Sequence, residues 1–132
     1  MADLIPASHR DILTGKNFAT IATLMPDGSP QVTPVWVDVD GDFVVFNTAD
    51  GRQKARNLDR DPHVAIAVFD HANPYRYIQV RGVVAEKTAR GADEHIDWLA
   101  HKYLGVDKYP GRNPAEKRVI YRIRPVHVQV SG

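Results

Sequence analysis

The feature that most constrains the fold is a succession of strand-like runs separated by turn signals. Residues 18–24 and 43–46 are rich in β-branched and aromatic side chains, and residues 31–39 alternate in polarity. A Pro-Asp-Gly sequence at 26–28 and an Asp-Gly pair at 40–41 lie between these runs. Asp-Gly between such runs is a strong hairpin signal. The pattern therefore predicts three consecutive antiparallel strands.

The rest of the chain alternates between helix-like and strand-like patterns. The further predicted elements are short helices over 7–13 and 51–61, a longer helix over 92–104, and strands over 64–69, 75–86 and 117–130, the last interrupted at Pro125. The longer helix has one apolar face that includes Leu104, and Trp98 falls on its polar side. Six strand segments with few, unevenly spaced helices favour an α+β, mainly β domain built around an antiparallel barrel, rather than a doubly wound parallel sheet.

Composition limits the classes of function. The 132 residues fit one domain spanning positions 1–132, and the absence of Cys excludes a disulfide scaffold, a thiol nucleophile and thiolate metal centres. A net charge of +1 provides no global attraction to nucleic acid or to an anionic membrane. Residues 1–6 have neither a basic region nor a long apolar run, and no stretch approaches the ~18 apolar residues of a membrane span. We expect a soluble, cytoplasmic protein.

Motifs for nucleotide loops, metals and activated nucleophiles are missing. The sequence contains no GxGxxG, GxxxxGK[ST] or HExxH pattern, and no Ser lies in a nucleophile-elbow context. His95 and His101 do not share a helix face. Asp97 and His101 are four residues apart, which indicates a solvated pair more often than half of a metal site. We therefore predict no metal site and assign no catalytic side chain.

The most informative stretch is the basic segment 52–58. It follows a strand that ends near Thr48, and it opens a short helix whose N-terminus favours an anion. Arg52 and Lys54 add charge at that point, since Arg can bind a phosphate through two N–H groups and Lys acts as a point charge. Taken alone, however, such a stretch is more often an ordinary solvated basic helix.

Aromatic residues and one proline provide a second signal. Tyr75 and Tyr77 lie on one face of a predicted strand, where they could flank a planar ligand, although cross-strand packing is the commoner cause. Trp36 and Trp98 are the other exposed candidates. Pro34 inside a strand marks an edge or a bulge, where backbone groups can meet a ligand. A planar, anionic ligand would account for these features and for the basic segment together.

Three motifs in this order resemble a known family. Asp-Gly-x-Pro-Gln at 27–31, Lys-x-Arg-Asn-Leu at 54–58 and Asp-Pro at 61–62, followed by an aromatic strand, a helix and a final strand, resemble the split-barrel flavin and deazaflavin oxidoreductases related to pyridoxamine phosphate oxidase. The resemblance covers nearly the whole chain, and the combination with the second motif is its specific part. Tyr-Arg-Tyr at 75–77 and Lys-Tyr-Leu-Gly at 102–105 resemble the actinobacterial branch that uses the deazaflavin coenzyme F420.

The resemblance implies a homodimer of six-stranded, FMN-binding-type split barrels with two cofactor sites at the subunit interface. Lys54 falls on the family's phosphate-binding lysine, the strand after the first motif borders the cofactor ring, and the aromatic strand crosses from the other subunit. The implied cofactor-binding residues are Gln31, Thr33, Pro34, Val35, Thr48, Arg52, Lys54, Asn57, Tyr75 and Tyr77. From charge alone we place the oligoglutamate tail of F420 along the basic C-terminal segment or beside Arg56 and Arg60.

The function expected from the resemblance is an F420-dependent oxidoreductase. It would transfer a hydride from the reduced deazaflavin to a small electron-poor acceptor such as a conjugated alkene, a lactone or a quinone. An FMN-binding oxidoreductase of the same fold is the first alternative. A cofactor carrier without turnover and a small β-barrel nucleic-acid binder are alternatives from other classes, the latter disfavoured by the near-zero net charge. Vitamin B6 oxidation is disfavoured, since only five residues follow His127.

Overall fold

The structure is a computed structural model that describes residues 4–132. Part of the segment considered for a signal peptide, Met1–Asp3, lies outside the described residues. The helices are α1 (Arg10–Thr14), α2 (Gln53–Arg60) and α3 (Ala92–Leu104). The strands are β1 (Ala19–Leu24), β2 (Pro30–Val35), β3 (Val37–Asp40), β4 (Phe43–Ala49), β5 (His63–Asp70), β6 (Asn73–Thr88) and β7 (Arg118–Ser131).

All seven strands form one antiparallel sheet in the order β2-β1-β5-β6-β7-β4-β3. The two edge strands, β2 and β3, are consecutive in the chain with only Trp36 between them. Val35 pairs with Ala19 at one edge, and Val37 pairs with Phe46 at the other. Because a single residue joins the two edges, the sheet has to curl until they meet. The result is a mainly β, split-barrel architecture, as expected.

The strand count is seven, whereas the sequence predicts six. The predicted strand over 31–39 divides at Trp36, because the chain leaves one edge of the sheet there and joins the other. The Val37 N–H donates to the hydroxyl of Tyr103 at 3.1 Å, so a side chain replaces the strand partner at the break. Hydrophobic alternation continues through the break, and so the sequence pattern does not reveal it.

The expected interruption of β7 at Pro125 is also absent. Pro125 pairs with Gly82 beside a register shift in the β6–β7 ladder, where a residue without an N–H is tolerated. A Cβ at Gly82 would lie 2.4 Å from the backbone oxygen of Arg124. Only glycine therefore permits the close approach of the two strands at this bulge.

The inner face of the curled sheet forms the core, and the three helices cover it. The main cluster includes Ile21, Val44, Phe46, Ile66 and Ile123. α3 contributes the buried side chains Ala92, Ile96, Leu99, Ala100 and Tyr103, which confirms most of its predicted apolar face. Leu104, expected on that face, is half exposed because the helix ends there in a left-handed Gly105.

Two side chains of α3 fasten the helix to the barrel. The Tyr103 hydroxyl donates to the backbone oxygen of Asn17 at 2.7 Å. Lys102 Nζ donates to the backbone oxygens of Leu13 and Val37 at 2.9 and 2.7 Å. Burial lowers the pKa of Lys102 to about 8, although nearby Asp38 acts in the opposite direction. α3 is thereby held against the end of the barrel where its edges meet.

Within residues 4–132, none of the helices has the length and apolar character needed to cross a membrane.

Candidate functional site

A pocket of about 270 Å³ lies where the joined edges of the barrel, the end of β4 and the start of α2 come together. Its lining combines one end rich in cations with one wall rich in aromatic rings. The lining residues are Phe18, Pro34, Val35, Trp36, Asn47, Thr48, Arg52, Lys54, Ile96, Tyr109 and Arg118. The pocket thus brings together the predicted site residues Pro34, Val35, Thr48, Arg52 and Lys54.

Three cations converge on one end of this pocket. β4 ends at Ala49, a turn with a left-handed Gly51 follows, and α2 then begins, so Arg52 and Lys54 lie at the N-terminus of the helix. Arg118 starts β7 opposite Ala49. Burial, followed by the charges of Arg52 and Arg118, lowers the pKa of Lys54. Like charges held together in a half-buried place are unfavourable unless an anion joins them.

Polar atoms at this end lack partners. Arg118 Nη1 and Thr48 Oγ1 are buried and form no hydrogen bond within the described part of the chain. No carboxylate of residues 4–132 forms an ion pair with Lys54. Because buried polar groups are nearly always satisfied, these two atoms provide unused hydrogen-bonding capacity inside the pocket. The donors fit an anion with several acceptor oxygens.

Asn47 holds Arg118 in place. Arg118 Nε donates to Asn47 Oδ1 at 2.9 Å, while Asn47 Nδ2 donates to the backbone oxygen of Ala92 at 2.9 Å. The guanidinium group also lies 5.4 Å from the centre of the Tyr109 ring. Arg118 is therefore oriented before any ligand arrives. Arg52 instead pairs with Glu116, its Nη2 lying 3.0 Å from Oε2.

The opposite wall of the pocket is aromatic. Trp36 stacks on Tyr103 with ring centres 5.3 Å apart and contacts Tyr109 edge-on at 5.9 Å. Phe18 stacks on the other side of Tyr103 at 5.4 Å and remains about half exposed. The wall offers flat apolar surface, and the cationic end offers charge. The pocket therefore suits a molecule with a planar ring and an anionic tail.

Strand β2 contributes backbone as well as side chains. It pairs only with β1, so its other edge is free to meet a ligand, which agrees with the edge expected at Pro34. Gln31 and Thr33 lie further along β2, outside the pocket lining. Gln31 Oε1 and Thr33 Oγ1 are nevertheless buried, with no hydrogen-bond partner among residues 4–132. Their cofactor-binding role stays a prediction.

Asn57 occupies a different place from the one expected. It is fully buried, and its Nδ2 donates to Thr23 Oγ1 at 3.0 Å. Its Oδ1 accepts a hydrogen bond from Gln53 Nε2 at 2.8 Å. The amide thus ties α2 to β1 and does not face the pocket. Asn57 thus helps to position the helix that carries Lys54.

Tyr75 and Tyr77 lie away from the pocket of their own protomer. Tyr75 is 85% exposed, and Tyr77 faces Phe69 across the β5–β6 ladder on the outer face of the sheet. The register is thus the one that cross-strand packing of Tyr77 requires. Their predicted contact with the cofactor of a second subunit stays a prediction.

Arg56 and Arg60, which are expected to border the F420 tail, form hydrogen bonds away from the pocket. Arg56 donates to the backbone oxygen of Gly51 and to Gln53 Oε1, and Arg60 donates to the backbone oxygen of Leu24. Neither lines the pocket. Arg118, by contrast, belongs to the basic C-terminal segment but was not singled out. Only the pairing of β7 with β4 places it beside Lys54, and no local pattern could show this.

Among residues 4–132, no group of three or more His, Asp or Glu side chains is placed to hold a metal ion. The expected pairing of Asp97 with His101 is not formed. Asp97 Oδ1 instead accepts from the N–H of Tyr109 at 2.8 Å and from Arg112 at 2.9 Å. Asp97 therefore anchors the loop between α3 and β7 that forms part of the pocket.

Comparison with known proteins identifies the family. A family model described as pyridoxamine 5'-phosphate oxidase matches residues 5–132. The chain belongs to the pyridoxamine 5'-phosphate oxidase family. Proteins that share one fold can bind different cofactors and act on different substrates. The fold alone therefore does not establish the activity of this chain.

Solved structures share the architecture. An F420 reductase is 34% identical, with 95% of this chain and 98% of that chain covered and a TM-score of 0.83. A conserved hypothetical protein from Mycobacterium tuberculosis is 26% identical over 99% of this chain and 88% of its own, with a TM-score of 0.73. General Stress Protein 26 from Bacillus anthracis has the same fold at 15% identity, covering 93% and 90%, with a TM-score of 0.69.

Proposed function

We propose that the protein is an F420-dependent oxidoreductase that reduces a small electron-poor acceptor, such as a conjugated alkene, a lactone or a quinone. The observation that carries the proposal is the pocket in which Arg52, Lys54 and Arg118 converge at one end of an aromatic wall. A planar redox cofactor with an anionic tail matches both parts. The 34% identity to an F420 reductase over nearly the full length supports F420 as the cofactor.

The residues present fit a phosphate-bearing cofactor. Arg118 Nη1 and Thr48 Oγ1 are buried donors without a partner in the described chain, and phosphate oxygens would satisfy both. Lys54 would add a point charge to the same group. Trp36 and the backbone of Pro34 and Val35 would border the ring. When bound, reduced F420 supplies the hydride, and the protein supplies binding and orientation.

The chain's own groups act mainly by holding and shielding. Asn47 keeps Arg118 oriented, so that the anion binds without reorganising the side chain. Trp36 and Tyr109 reduce the access of water to the ring. The pocket lining, within the described residues, contains no carboxylate and no imidazole. We propose water as the source of the proton that completes reduction of the acceptor; a tyrosine phenol near its ordinary pKa of ~10 is a weak acid and the less favoured donor.

A homodimer completes the proposal. The small side chains Thr20, Ala22, Ala65 and Ala67 are adjacent on the outward face of β1 and β5. Phe69, on the same face, is almost half exposed. A flat face of small residues with an exposed aromatic neighbour suits close packing against a second copy of the sheet. In such a dimer Tyr75 and Tyr77 would reach the pocket of the other subunit.

The decisive experiment is fluorescence titration of the purified protein with F420 and with FMN side by side. Quenching of F420 fluorescence at micromolar protein, together with weaker FMN binding, supports the proposal. Protein that is purified yellow, with an FMN spectrum, supports an FMN-binding oxidoreductase of the same fold instead. Binding without oxidation of reduced F420 by any acceptor of the three classes would indicate a cofactor carrier. Binding of neither cofactor refutes the proposed function.

A further inference from the structure

A carboxylate of the protein, that of Glu116, lies beside the cationic end of the pocket. Glu116 Oε2 lies 3.0 Å from Arg52 Nη2, and both side chains are partly exposed, at 27% and 48%. Arg52 lines the candidate cofactor pocket. Glu116 lines an adjoining cavity that shares Ile96, Tyr109 and Arg118 with it. The ion pair therefore bridges the two spaces at the point where the three cations converge.

The position of Glu116 does not depend on Arg52 alone. Its N–H donates to the backbone oxygen of Asn113 at 2.9 Å, and Asn113 Oδ1 accepts from the N–H of Ala115 at 3.0 Å. This local turn belongs to the loop 105–117, which Asp97 anchors through Tyr109 and Arg112. Asp97, which does not line the pocket, therefore holds this loop in place. The loop in turn positions the Glu116 carboxylate beside Arg52.

Glu116 neutralises only part of the positive charge. Within the described chain it is the only carboxylate in an ion pair with Arg52, Lys54 or Arg118. Lys54 forms no ion pair there, and Arg118 Nη1 has no partner. Glu116 is therefore the direct ion-pair partner of Arg52. It and Asp93 reach Arg118 only through space, and Lys54 has no carboxylate partner in the described chain.

We propose that Glu116 is a charge-selecting residue: it competes with the anionic ligand for Arg52 and is displaced from it when a phosphate-bearing ligand binds. The inference rests on the proposed function only in that the pocket takes an anionic ligand. A partly exposed ion pair of this kind contributes little to stability, so its exchange for a contact with a ligand costs little. A phosphate can bind Arg52 through two N–H groups and also meet Lys54 and Arg118, whereas a neutral ligand cannot displace the carboxylate.

The test compares wild type with Glu116→Gln, which removes the charge and keeps the shape. The ligands are F420 and FMN, which carry phosphate, and riboflavin, which does not. We expect the Kd for F420 or FMN to fall about three- to fivefold at constant ionic strength, and the Kd for riboflavin to stay unchanged. Glu94→Gln, at an exposed acid of α3 outside both cavities, is the matched control and should leave all affinities unchanged.

Unchanged or weaker binding of the phosphate-bearing ligands by Glu116→Gln overturns the inference, as does equal tightening of riboflavin. If Glu116→Gln does not fold, Glu116→Asp replaces it, since the shorter side chain withdraws the carboxylate and should produce a smaller shift in the same direction. If wild type binds no flavin or deazaflavin, the proposed function has failed separately. Inorganic phosphate then serves as the probe: a larger NMR shift of the Arg52 guanidinium in Glu116→Gln supports competition, and an equal shift refutes it.

Discussion

At the scale of single residues, Lys54 carries the clearest physical signature of the site. Burial and the neighbouring cations Arg52 and Arg118 all lower its pKa, and no carboxylate of the described chain offsets them. A structural lysine is normally paired, bound to backbone oxygens as Lys102 is, or extended into solvent. A bound anion would remove this unfavourable effect. A phosphate that contacts all three cations would supply the negative charge that the protonated lysine lacks.

Replacing Lys54 by alanine should therefore raise the Kd for the phosphate-bearing cofactor about tenfold or more, because a charge-assisted contact of ~1.5–3 kcal/mol is lost. Fluorescence titration measures this directly. Lys16→Ala is the control, since Lys16 is exposed and does not line the pocket. An unchanged Kd in Lys54→Ala would show that the phosphate is bound elsewhere.

The lowered pKa of Lys54 also predicts how binding depends on pH. A bound phosphate favours the charged amine, so ligand binding should take up protons at alkaline pH. Affinity should then fall as the pH rises through the lowered pKa of the free protein. Titrations in parallel with Lys54→Arg, whose guanidinium stays charged, provide the comparison. A similar fall in both proteins would mean that another group controls binding.

At the scale of secondary-structure elements, the break between β2 and β3 is the structural centre of the site. Trp36 at the break stacks on Tyr103 of α3, with the ring planes within 5° of parallel. The Tyr103 hydroxyl in turn bonds Asn17 and Val37. The stacked pair of Trp36 and Tyr103 therefore connects the two edge strands, where they meet, to helix α3, which covers them.

Trp36→Ala should reduce the free energy of unfolding by about 2–3 kcal/mol, somewhat less than full burial would cost because Trp36 is only partly buried. Urea denaturation followed by circular dichroism measures the change. Trp98→Ala is the matched control: Trp98 lies on α3 but is 50% exposed, so its loss should cost no more than about 1 kcal/mol. Equal losses of unfolding free energy in the two variants would contradict a special role for the break between β2 and β3.

Lys102 makes the docking of α3 dependent on pH. Its pKa falls from 10.5 to about 8 in the folded protein, so the unfolded chain binds more protons between these values. The amount by which Lys102 lowers the free energy of unfolding is greatest below pH 8 and vanishes above pH 10.5. Stability therefore increases with pH in this window. Between pH 7 and pH 9, wild type should gain about 1 kcal/mol of unfolding free energy relative to Lys102→Met. A difference that does not change with pH would refute this.

At the scale of the whole molecule, the outward face of β1 and β5 is the surface on which the proposed dimer depends. Ala67 is exposed at its centre, opposite Thr20 on one side and Gln79 on the other. The proposed dimer covers this face and brings Tyr75 and Tyr77 to the second pocket. Neither tyrosine lines the pocket of its own chain.

Ala67→Arg should convert the proposed dimer to a monomer, because a long charged side chain cannot be accommodated between two closely packed sheets. Light scattering after size exclusion measures the mass, and circular dichroism checks that the fold is retained. Ala89→Arg, at an exposed position before α3, is the control and should remain dimeric. Cofactor affinity should fall with the dimer. A wild-type monomer that binds cofactor fully would refute the shared site.

Most of the elements were predictable because their signals are local. The bounds predicted for α3 match the structure, and the expected strands lie within one or two residues of β1, β5 and β7. Arg52 and Lys54 could be placed together at the start of a helix because they lie in one short basic segment, and both line the pocket; their binding roles stay predictions. The division of the predicted strand at Trp36 was not predictable, because the alternation of side chains does not indicate which strand pairs with a given segment.

The sequence by itself determined the class of fold, the family resemblance and the basic segment at one end of the pocket, because strand alternation, turn residues and clustered charge act between near neighbours in the chain. Tertiary structure alone decided that Arg118 joins Lys54, that Glu116 occupies Arg52 and that Asn57 is buried. These contacts join residues brought together only when the sheet curls and β7 pairs with β4. Packing across long separations in sequence depends on the whole fold, and no short motif encodes it.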